Sequence, residues 1–215
     1  MVVNSSALQR VDGATFYHFH KSGNYDDLWR VGNEITFDGK SFNKYYAYYF
    51  DYKPTFVLYN QINPLQTLPN FVKDLQESAK SLDFNIRELI NLPAKLSEII
   101  TDLTVWIREE IFEDVRKSQF SNRPSRKTCL FVCDELKVDD WKSLLAASNV
   151  DMTLFRLSLT GTIFRANERY VHLDEYGTEF FRKNAEKYWQ GVQGNDNADE
   201  EEILFWGKAK IVKAL

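Results

Sequence analysis

The stretch TCLFVCDELKVDDWKSLLAASNVDMTLFRLSL, residues 128–159, places a helical segment between two segments of strand character. Thr128–Cys133 and Met152–Leu159 are predicted to be strands, and Asp139–Ser148 is predicted to be a helix. Strands with interleaved helices are typical of a mixed α/β or α+β domain. The elements on either side of this stretch extend the same pattern.

Further strands and helices are predicted at both ends of the chain. The strands are Thr15–His20, Thr55–Tyr59, Ile163–Leu173 and Ile203–Val212, and the helices are Asp26–Gly32 and Glu175–Trp189. Between Leu68 and Phe120 the apolar residues recur at spacings of three and four, which predicts helices with one buried face, and Pro69 and Pro93 suit first turns. We therefore expect one domain, residues 1–215, with a helical insertion at about 68–120.

Composition excludes several classes of protein. With 215 residues, 44% of them hydrophobic and 15% aromatic, the chain is not a disordered tail or a low-complexity array. Its 27 Lys and Arg against 31 Asp and Glu, a net charge of -4, argue against a surface that is basic all over. No stretch approaches the ~20 apolar residues of a membrane helix, and the N-terminus lacks a secretory signal. We expect a soluble, cytoplasmic protein that does not bind membranes.

The two cysteines are predicted to be reduced thiols in the core. Cys129 and Cys133 are four residues apart on a predicted strand, so their Cα atoms would lie ~13 Å apart, beyond the ~7 Å that a disulfide allows. No second Cys or His pair completes a zinc pattern.

Two of the three histidines lie on the first strand. Side chains alternate along a strand, so His18 and His20 share one face, and Tyr17 and Phe19 are predicted to face the core. The histidine face has three interpretations: a polar edge in solvent, a metal site completed by a carboxylate and a residue such as His172, or a nucleotide-binding or catalytic site.

The segment 116–133 is locally basic. It contains Arg116, Lys117, Arg123, Arg126 and Lys127 and no acidic residue. Arginines in the turn before the strand could clamp a pyrophosphate through two parallel hydrogen bonds, or they could be basic residues at the end of a helix and in a solvated loop.

Three glutamates, Glu200–Glu202, stand directly before the last strand. Such a run is usually solvated charge, but a carboxylate held at the mouth of a buried strand can stabilise a developing cation. The motifs GxGxxG, GxxxxGK[ST], HExxH and GxSxG are absent from the sequence, so a nucleotide pocket would belong to another design.

In their order along the chain, these segments resemble the ADP-ribosyltransferase fold. Phe16–His20 resembles its opening strand, whose histidine grips the ribose of NAD. Pro124–Arg126, running into Leu130–Val132 and the following helix, is similar to its central strand. Glu200-x-Glu202 before Ile203 looks like its last motif, including the doubled-glutamate form. The sequence as a whole also resembles the uncharacterised bacterial family DUF2441.

The resemblance implies an α+β fold with a split mixed β-sheet, into which a helical segment is inserted, and an NAD-dependent transferase activity. It assigns His18 to a ribose hydroxyl, Ser125 and Arg126 to the pyrophosphate, and Glu202 to the 2′-hydroxyl and the oxocarbenium-like transition state. Phe131 stands where the family carries a tyrosine that stacks on nicotinamide, and one of Tyr45–Tyr49 is the alternative for that role. No metal is implied.

The partners implied are NAD, as substrate, and a nucleic-acid or protein acceptor, with an inhibitory antitoxin-type protein if the chain is a toxin or defence effector. The loop Val192–Glu201, just before Glu202, is where selectivity for the acceptor is expected. The alternative is a non-catalytic module that binds nucleic acid or protein through the basic segment 116–133 and the tyrosine-rich stretch 42–59.

Overall fold

The computed structural model describes residues 7–21, 26–39, 55–58, 61–64, 86–146, 151–173, 177–191 and 201–215. The chain separates into two compact units, one formed by Met1–Ala47 with Ile111–Leu215 and the other by Tyr48–Glu110. All of the candidate site residues that the structure describes lie in the first unit. Most of the tyrosine-rich stretch, the predicted helix before Ile86 and positions 192–200 of the acidic loop lie outside the described residues.

The elements confirm the α+β class. The strands are β1 (Leu8–Lys21), β2 (Glu34–Phe37), β3 (Thr55–Leu58), β4 (Gln61–Pro64), β5 (Leu130–Val132), β6 (Met152–Asn167) and β7 (Glu201–Ala214), and the helices are α1 (Ile86–Gln119), α2 (Val138–Ala146) and α3 (Thr178–Gln190). Within the second unit β3 and β4 form an antiparallel pair. Among the described helices, none combines the length and hydropathy needed to cross a membrane.

Hydrogen bonds join four strands of the first unit into a closed ring. β1 pairs with β6, β6 with β7 and β7 with β5, and all three pairings are antiparallel. The ring closes where Tyr17 and Cys133 exchange two backbone hydrogen bonds of 2.9 Å. β2 pairs with the second half of β7 and lies outside the ring.

The antiparallel pairing corrects the mixed sheet that the resemblance implied. The end of β6 lies opposite the start of β7, with Asn167 paired to Glu201. The chain therefore returns through α3 to the same end of the sheet before β7 begins. Neighbouring strands then run in opposite directions, whereas a parallel pair needs a crossover to the opposite end.

Both faces of the ring strands are buried, by different partners. Side chains from all four strands form an inner cluster on one face: Phe16, Leu130, Val132, Phe155, Leu157, Leu159, Ile163, Ile203, Phe205, Ala209 and Ile211. The opposite face joins α1 and α3 in an outer cluster: Ala7, Phe112, Val115, Phe120, Cys129, Phe164, Ala166, Ala185, Tyr188, Trp189 and Leu204. This double burial makes β6 and the first half of β7 the centre of the unit.

Helix α3 is fixed against the end of α1 by its two aromatic residues. Tyr188 and Trp189 are fully buried, and the Trp189 Nε1 donates to the carbonyl oxygen of Phe112 at 2.8 Å. The Tyr188 ring meets the Phe112 ring edge-on, with centroids 5.4 Å apart. The spacing of Phe181, Ala185 and Tyr188 gives α3 the single apolar face that covers the sheet.

The predictions for β1, β3, α2, α3 and β7 are confirmed apart from their boundaries, and three others need correction. The strands predicted at 152–159 and 163–173 are one strand, β6, which ends at Asn167. Asp26–Gly32 is not a helix but a pair of turns, in which Trp29 N donates to Asp26 O at 3.1 Å. Pro93 lies inside α1 and does not begin a new helix.

Two glycines let β6 and β7 approach closely in the middle of the ring. Gly161 lies directly opposite Gly207. In the sequence Gly161 suggests a turn, but β6 continues through it. A Cβ on Gly207 would lie 2.5 Å from Thr160 O and 2.7 Å from Gly161 Cα, and the φ of Gly207 is +145°. Both the contact and the backbone conformation therefore require glycine at position 207.

Replacing Gly207 by alanine should destabilise the fold more than the same change at Gly177, because Gly177 has nearly the same φ, +144°, but no atom within 4 Å of a new Cβ. We expect Gly207→Ala to lower the free energy of unfolding by about 3 kcal/mol, since overlap adds to strain. Gly177→Ala should cost about 1 kcal/mol. Urea denaturation of both variants measures the difference, and equal losses would contradict the close approach of β6 and β7.

Candidate functional site

Strands β1 and β5 separate directly beside the point where they close the ring. Tyr17 and Cys133 pair through their backbones, but the neighbouring contact is made by a side chain. His18 Nδ1 donates to the carbonyl oxygen of Phe131 at 2.8 Å. The imidazole that the sequence predicts to bind ribose therefore lies next to the residue predicted to stack on nicotinamide.

This hydrogen bond selects the form of the imidazole. A carbonyl oxygen can only accept, so Nδ1 of His18 carries the proton. Loss of solvent around the ring lowers the pKa of His18 to about 4. At neutral pH the ring is therefore uncharged, and the lone pair on its Nε2 can accept a hydrogen bond from a ligand hydroxyl.

Trp29, in the turns after β1, covers both histidines of that strand. Its ring stacks on His18 and His20 with centroid distances of 4.6 and 4.8 Å, and it lies 5.5 Å from the Phe155 ring. His20 is 7% exposed, and its Nε2 donates to Asp26 Oδ1 at 2.8 Å. The interpretation of the histidine face as a polar edge in solvent is therefore wrong, because ring closure turns that face inward.

The metal interpretation of the histidines gains no support from the described residues. Within them, no three His, Cys, Asp or Glu side chains are grouped so that they could hold a metal ion. One nitrogen of His18 and one of His20 each bind an oxygen acceptor of the protein. A metal ion bound by both rings would have to replace one of these hydrogen bonds or coordinate Nε2 of His18 and Nδ1 of His20.

Glu202, the second residue of β7, is held in a buried polar network. Glu202 is 6% exposed and forms an ion pair with Arg126, which is 5% exposed. The Tyr188 hydroxyl donates to Glu202 Oε2 at 2.5 Å, and Arg126 Nη1 donates to the Tyr188 oxygen at 2.6 Å. Burial raises the pKa of Tyr188 well above its usual value, so the hydroxyl keeps the proton that it donates.

Two aromatic rings also contact Arg126. The guanidinium carbon lies 5.3 Å from the centroid of Phe131 and 5.0 Å from that of Tyr188. Cation–π contacts of this kind are strongest away from water. Arg126, Phe131 and Glu202, which were singled out separately in the sequence, therefore form one contact set.

Hydrogen bonds connect the loop that contains Ser125 to the end of α1. Arg116 donates two hydrogen bonds to the buried Glu113, at 3.0 and 2.7 Å, and Ser125 Oγ donates to the same carboxylate at 2.8 Å. Arg116 Nη1 also donates to the carbonyl oxygen of Arg123 at 2.9 Å. Ser125, predicted to engage a pyrophosphate together with Arg126, thus has a protein partner, as Arg126 has.

His18 and Glu202 lie on opposite faces of the ring strands. Phe16, two residues before His18, belongs to the inner cluster, and Leu204, two residues after Glu202, belongs to the outer cluster. Since side chains alternate, the two predicted ribose-binding groups do not meet directly. They are connected through Phe131, whose carbonyl binds His18 and whose ring contacts the guanidinium paired with Glu202.

The basic segment 116–133 does not form a charged surface. Arg123, Arg126 and Lys127 are only 2%, 5% and 6% exposed. Lys117 is the exception, with 69% of its side chain in solvent. Phosphate contacts need cations that a nucleic acid can reach, so this segment lacks the row of accessible charges that a nucleic-acid-binding module requires.

Glu201 has a different environment from its neighbour Glu202. Its carboxylate pairs with Arg165, which also donates to Asp134 Oδ2 at 2.9 Å. Arg165 is only partly buried, with 21% of its side chain exposed. The two described glutamates of the acidic run thus have separate arginine partners.

Trp29 and Tyr188 belong to the site, although their sequence context gave them no role. Trp29 lies in a segment that the sequence predicts to be a helix, and nothing in that prediction indicates a contact with histidine. For Tyr188 the sequence does indicate a buried hydrogen bond, because a tyrosine on the buried face of a helix needs a partner for its hydroxyl. The identity of that partner depends on a residue that comes later in the chain.

The predicted thiol chemistry is confirmed. Cys129 and Cys133 are both free and buried. Burial, followed by the charge of Asp134, raises the pKa of Cys133 to about 12, so this thiol is not a nucleophile at neutral pH.

Comparison with known protein families assigns the chain to one of them. The model of the family DUF2441, described as a protein of unknown function, matches residues 16–215. The chain belongs to DUF2441. The match includes every candidate site residue of this DUF2441 protein, from His18 to Glu202, and it confirms the family predicted from the sequence. No curated protein matches the chain.

In the folded DUF2441 protein, His18 should take up its proton near pH 4. The unfolded chain binds it near pH 6.5, so the contribution of His18 to stability should be complete above that pH and be lost as the pH falls towards 4. NMR titration of the imidazole Cε1 proton measures the pKa, and His18→Gln assigns the signal and removes that part of the pH dependence. A midpoint near the ordinary histidine value would contradict the solvent-poor environment.

Arg126→Met should destabilise the protein by about 3–5 kcal/mol, because it leaves the Glu202 carboxylate buried without a cation. Replacing both residues together, Arg126→Met with Glu202→Leu, should restore most of the loss. Arg182→Met is the control, since Arg182 is 51% exposed in its pair with Asp114 and should cost under about 1 kcal/mol. Denaturant unfolding measures all three, and a double variant that is no more stable than Arg126→Met would contradict the network.

Proposed function

We propose that this DUF2441 protein is an NAD-dependent ADP-ribosyltransferase that modifies a macromolecule. The observation that carries the proposal is a continuous line of contacts among residues to which the resemblance to the ADP-ribosyltransferase fold assigns this role. It runs from the imidazole of His18 to the carbonyl of Phe131, from the Phe131 ring to Arg126, and from Arg126 to Glu202. These residues come from β1, β5, the loop before β5 and β7.

The chemistry required is cleavage of the bond between nicotinamide and ribose. Nicotinamide leaves with the bonding electrons, positive charge develops on the ribose, and the acceptor forms a new bond to the same carbon and loses a proton. A fixed carboxylate in a solvent-poor site stabilises that charge by several kcal/mol. Among the candidate residues, Glu202 is the carboxylate with this degree of burial.

His18 has the hydrogen-bonding capacity that a ribose site needs. Its proton lies on Nδ1, so Nε2 accepts from a ribose hydroxyl without a change of charge. Phe131 adjoins it, and in the proposed complex its ring contributes the apolar surface against nicotinamide. The stacked Trp29 holds the imidazole in place.

The proposal requires Glu202 to leave its present partners when NAD binds and to reach the ribose that His18 contacts from the opposite face of the ring strands. Phosphate oxygens and carboxylate oxygens compete for the same guanidinium donors. A pyrophosphate that attracts Arg126 would weaken the ion pair with Glu202. NAD can drive this change only by binding the rearranged state more tightly than the state described above.

The acceptor is proposed to be a protein or a nucleic acid, and an inhibitory protein would accompany an enzyme that acts as a toxin. The transferase is preferred to a non-catalytic nucleic-acid-binding module because the basic segment is buried. Arg123 and Arg126 are buried, so they do not form an extended surface that a nucleic-acid backbone could follow, whereas buried charges beside aromatic rings suit a site for a single small ligand.

Release of nicotinamide from labelled NAD tests the proposal. Glu202→Gln should lower the rate by at least about 10²–10³-fold, because it removes the charge that stabilises the transition state. Glu201→Gln makes the same chemical change one residue earlier, where the carboxylate pairs with Arg165, and should keep the rate within a few-fold. Rates are compared per folded molecule, measured by near-UV circular dichroism.

Tyr188→Phe provides a second control for Glu202→Gln. It removes one donor from the same buried network but leaves the carboxylate, so activity should survive if the charge is what matters. No nicotinamide release by the wild-type protein, with protein and nucleic-acid acceptors supplied, would overturn the transferase. Equal rates for wild type and Glu202→Gln would remove the role of Glu202.

A further inference from the structure

A second buried arginine lies close in sequence to Arg126 and, in the part of the chain that the structure describes, forms no ion pair. Arg123 is 2% exposed and is one of the largest fully buried side chains in the described residues. Within them, its Nε and Nη2 donate no hydrogen bond. Its guanidinium carbon lies 5.0 Å from the centroid of the Phe164 ring.

The backbone holds Arg123 firmly in this position. Arg123 N donates to Phe120 O at 2.9 Å, and Arg116 donates to Arg123 O at the same distance. Pro124, which follows, is buried. The backbone of Arg123 is therefore fixed, and the guanidinium is held by its burial and by its contact with the Phe164 ring.

An unpaired guanidinium is costly in such surroundings. Burial lowers the pKa of Arg123, but arginine remains protonated at neutral pH. An isolated buried charge costs several kcal/mol unless it is paired. The contact with Phe164 compensates only part of this cost, since a cation–π interaction is weaker than the desolvation penalty of a buried charge.

The two unpaired nitrogens are adjacent on one edge of the guanidinium. Nε–H and Nη2–H point in parallel and form the donor fork that matches two oxygens of a phosphoryl group or a carboxylate. We propose that Arg123 is a binding site for an oxyanion, which docks two oxygens on the Nε and Nη2 edge. The site does not depend on the proposed transferase activity.

Thermal unfolding of the full chain in different salts tests the site. The wild-type protein is heated with inorganic phosphate, pyrophosphate, ADP or acetate, each against chloride at equal ionic strength. At saturating concentration an oxyanion that fits should raise Tm by about 5 °C or more. Inorganic phosphate, nucleotide phosphates and acetate distinguish a free phosphate, a nucleotide and a carboxylate as the source of the oxygens.

Arg123→Met and Arg123→Lys attribute the effect to this side chain. In chloride, Arg123→Met should be as stable as the wild type or more stable, because it removes an unpaired charge, and it should lose the response to oxyanions. Arg123→Lys keeps the charge but loses the pair of parallel N–H donors. The dissociation constant of the oxyanion should therefore be at least about tenfold higher for this variant than for the wild type.

Two results would overturn the proposal. One is a wild-type Tm that is the same in every oxyanion as in chloride. The other is an equal rise in Tm for the wild type and Arg123→Lys, which folds with the charge in place and therefore remains informative if Arg123→Met does not fold. Nicotinamide release is measured separately, so failure of the oxyanion site leaves the test of Glu202 unaffected.

Discussion

The candidate site of this DUF2441 protein depends on the ion pair of Arg126 and Glu202, with the Tyr188 hydroxyl bound to both. This network joins the loop before β5, the start of β7 and the last turn of α3, and all three side chains are buried. Breaking this pair would leave a charge buried without its partner, so a movement of one of these segments alone carries a large cost. The same interaction limits how the site can work, because Glu202 is occupied.

Strand β5 links the two halves of the candidate site although it is only three residues long. Its Phe131 carbonyl binds His18 on one side, and its Phe131 ring contacts Arg126 on the other. Cys133, immediately after it, closes the ring of strands with Tyr17. A small movement of β5 would therefore change the surroundings of the histidine and of the acid together.

Sequence patterns predicted elements well where packing on one side produces a period. The helical spacing before Phe120 and the strand at the end of the chain are examples. Sequence patterns gave wrong predictions where the same local feature is compatible with two different structures. Gly161 suggests the end of a strand, yet it sits opposite Gly207 so that two strands can approach closely. Alternation along β1 grouped His18 with His20 correctly, but it cannot tell which face of a strand is turned inward.

The sequence by itself determined the α+β class, the order of most elements, the family and the residues that could carry chemistry, because periodicity and residue type are local properties. The tertiary structure alone decided that Glu202 meets Arg126 and Tyr188, that Trp29 covers the histidines and that Arg123 is buried with two nitrogens that donate no hydrogen bond within the described residues. These facts depend on which distant segments the closing ring brings together. A charged side chain in the sequence is equally compatible with solvent and with the core until that closure fixes its neighbours.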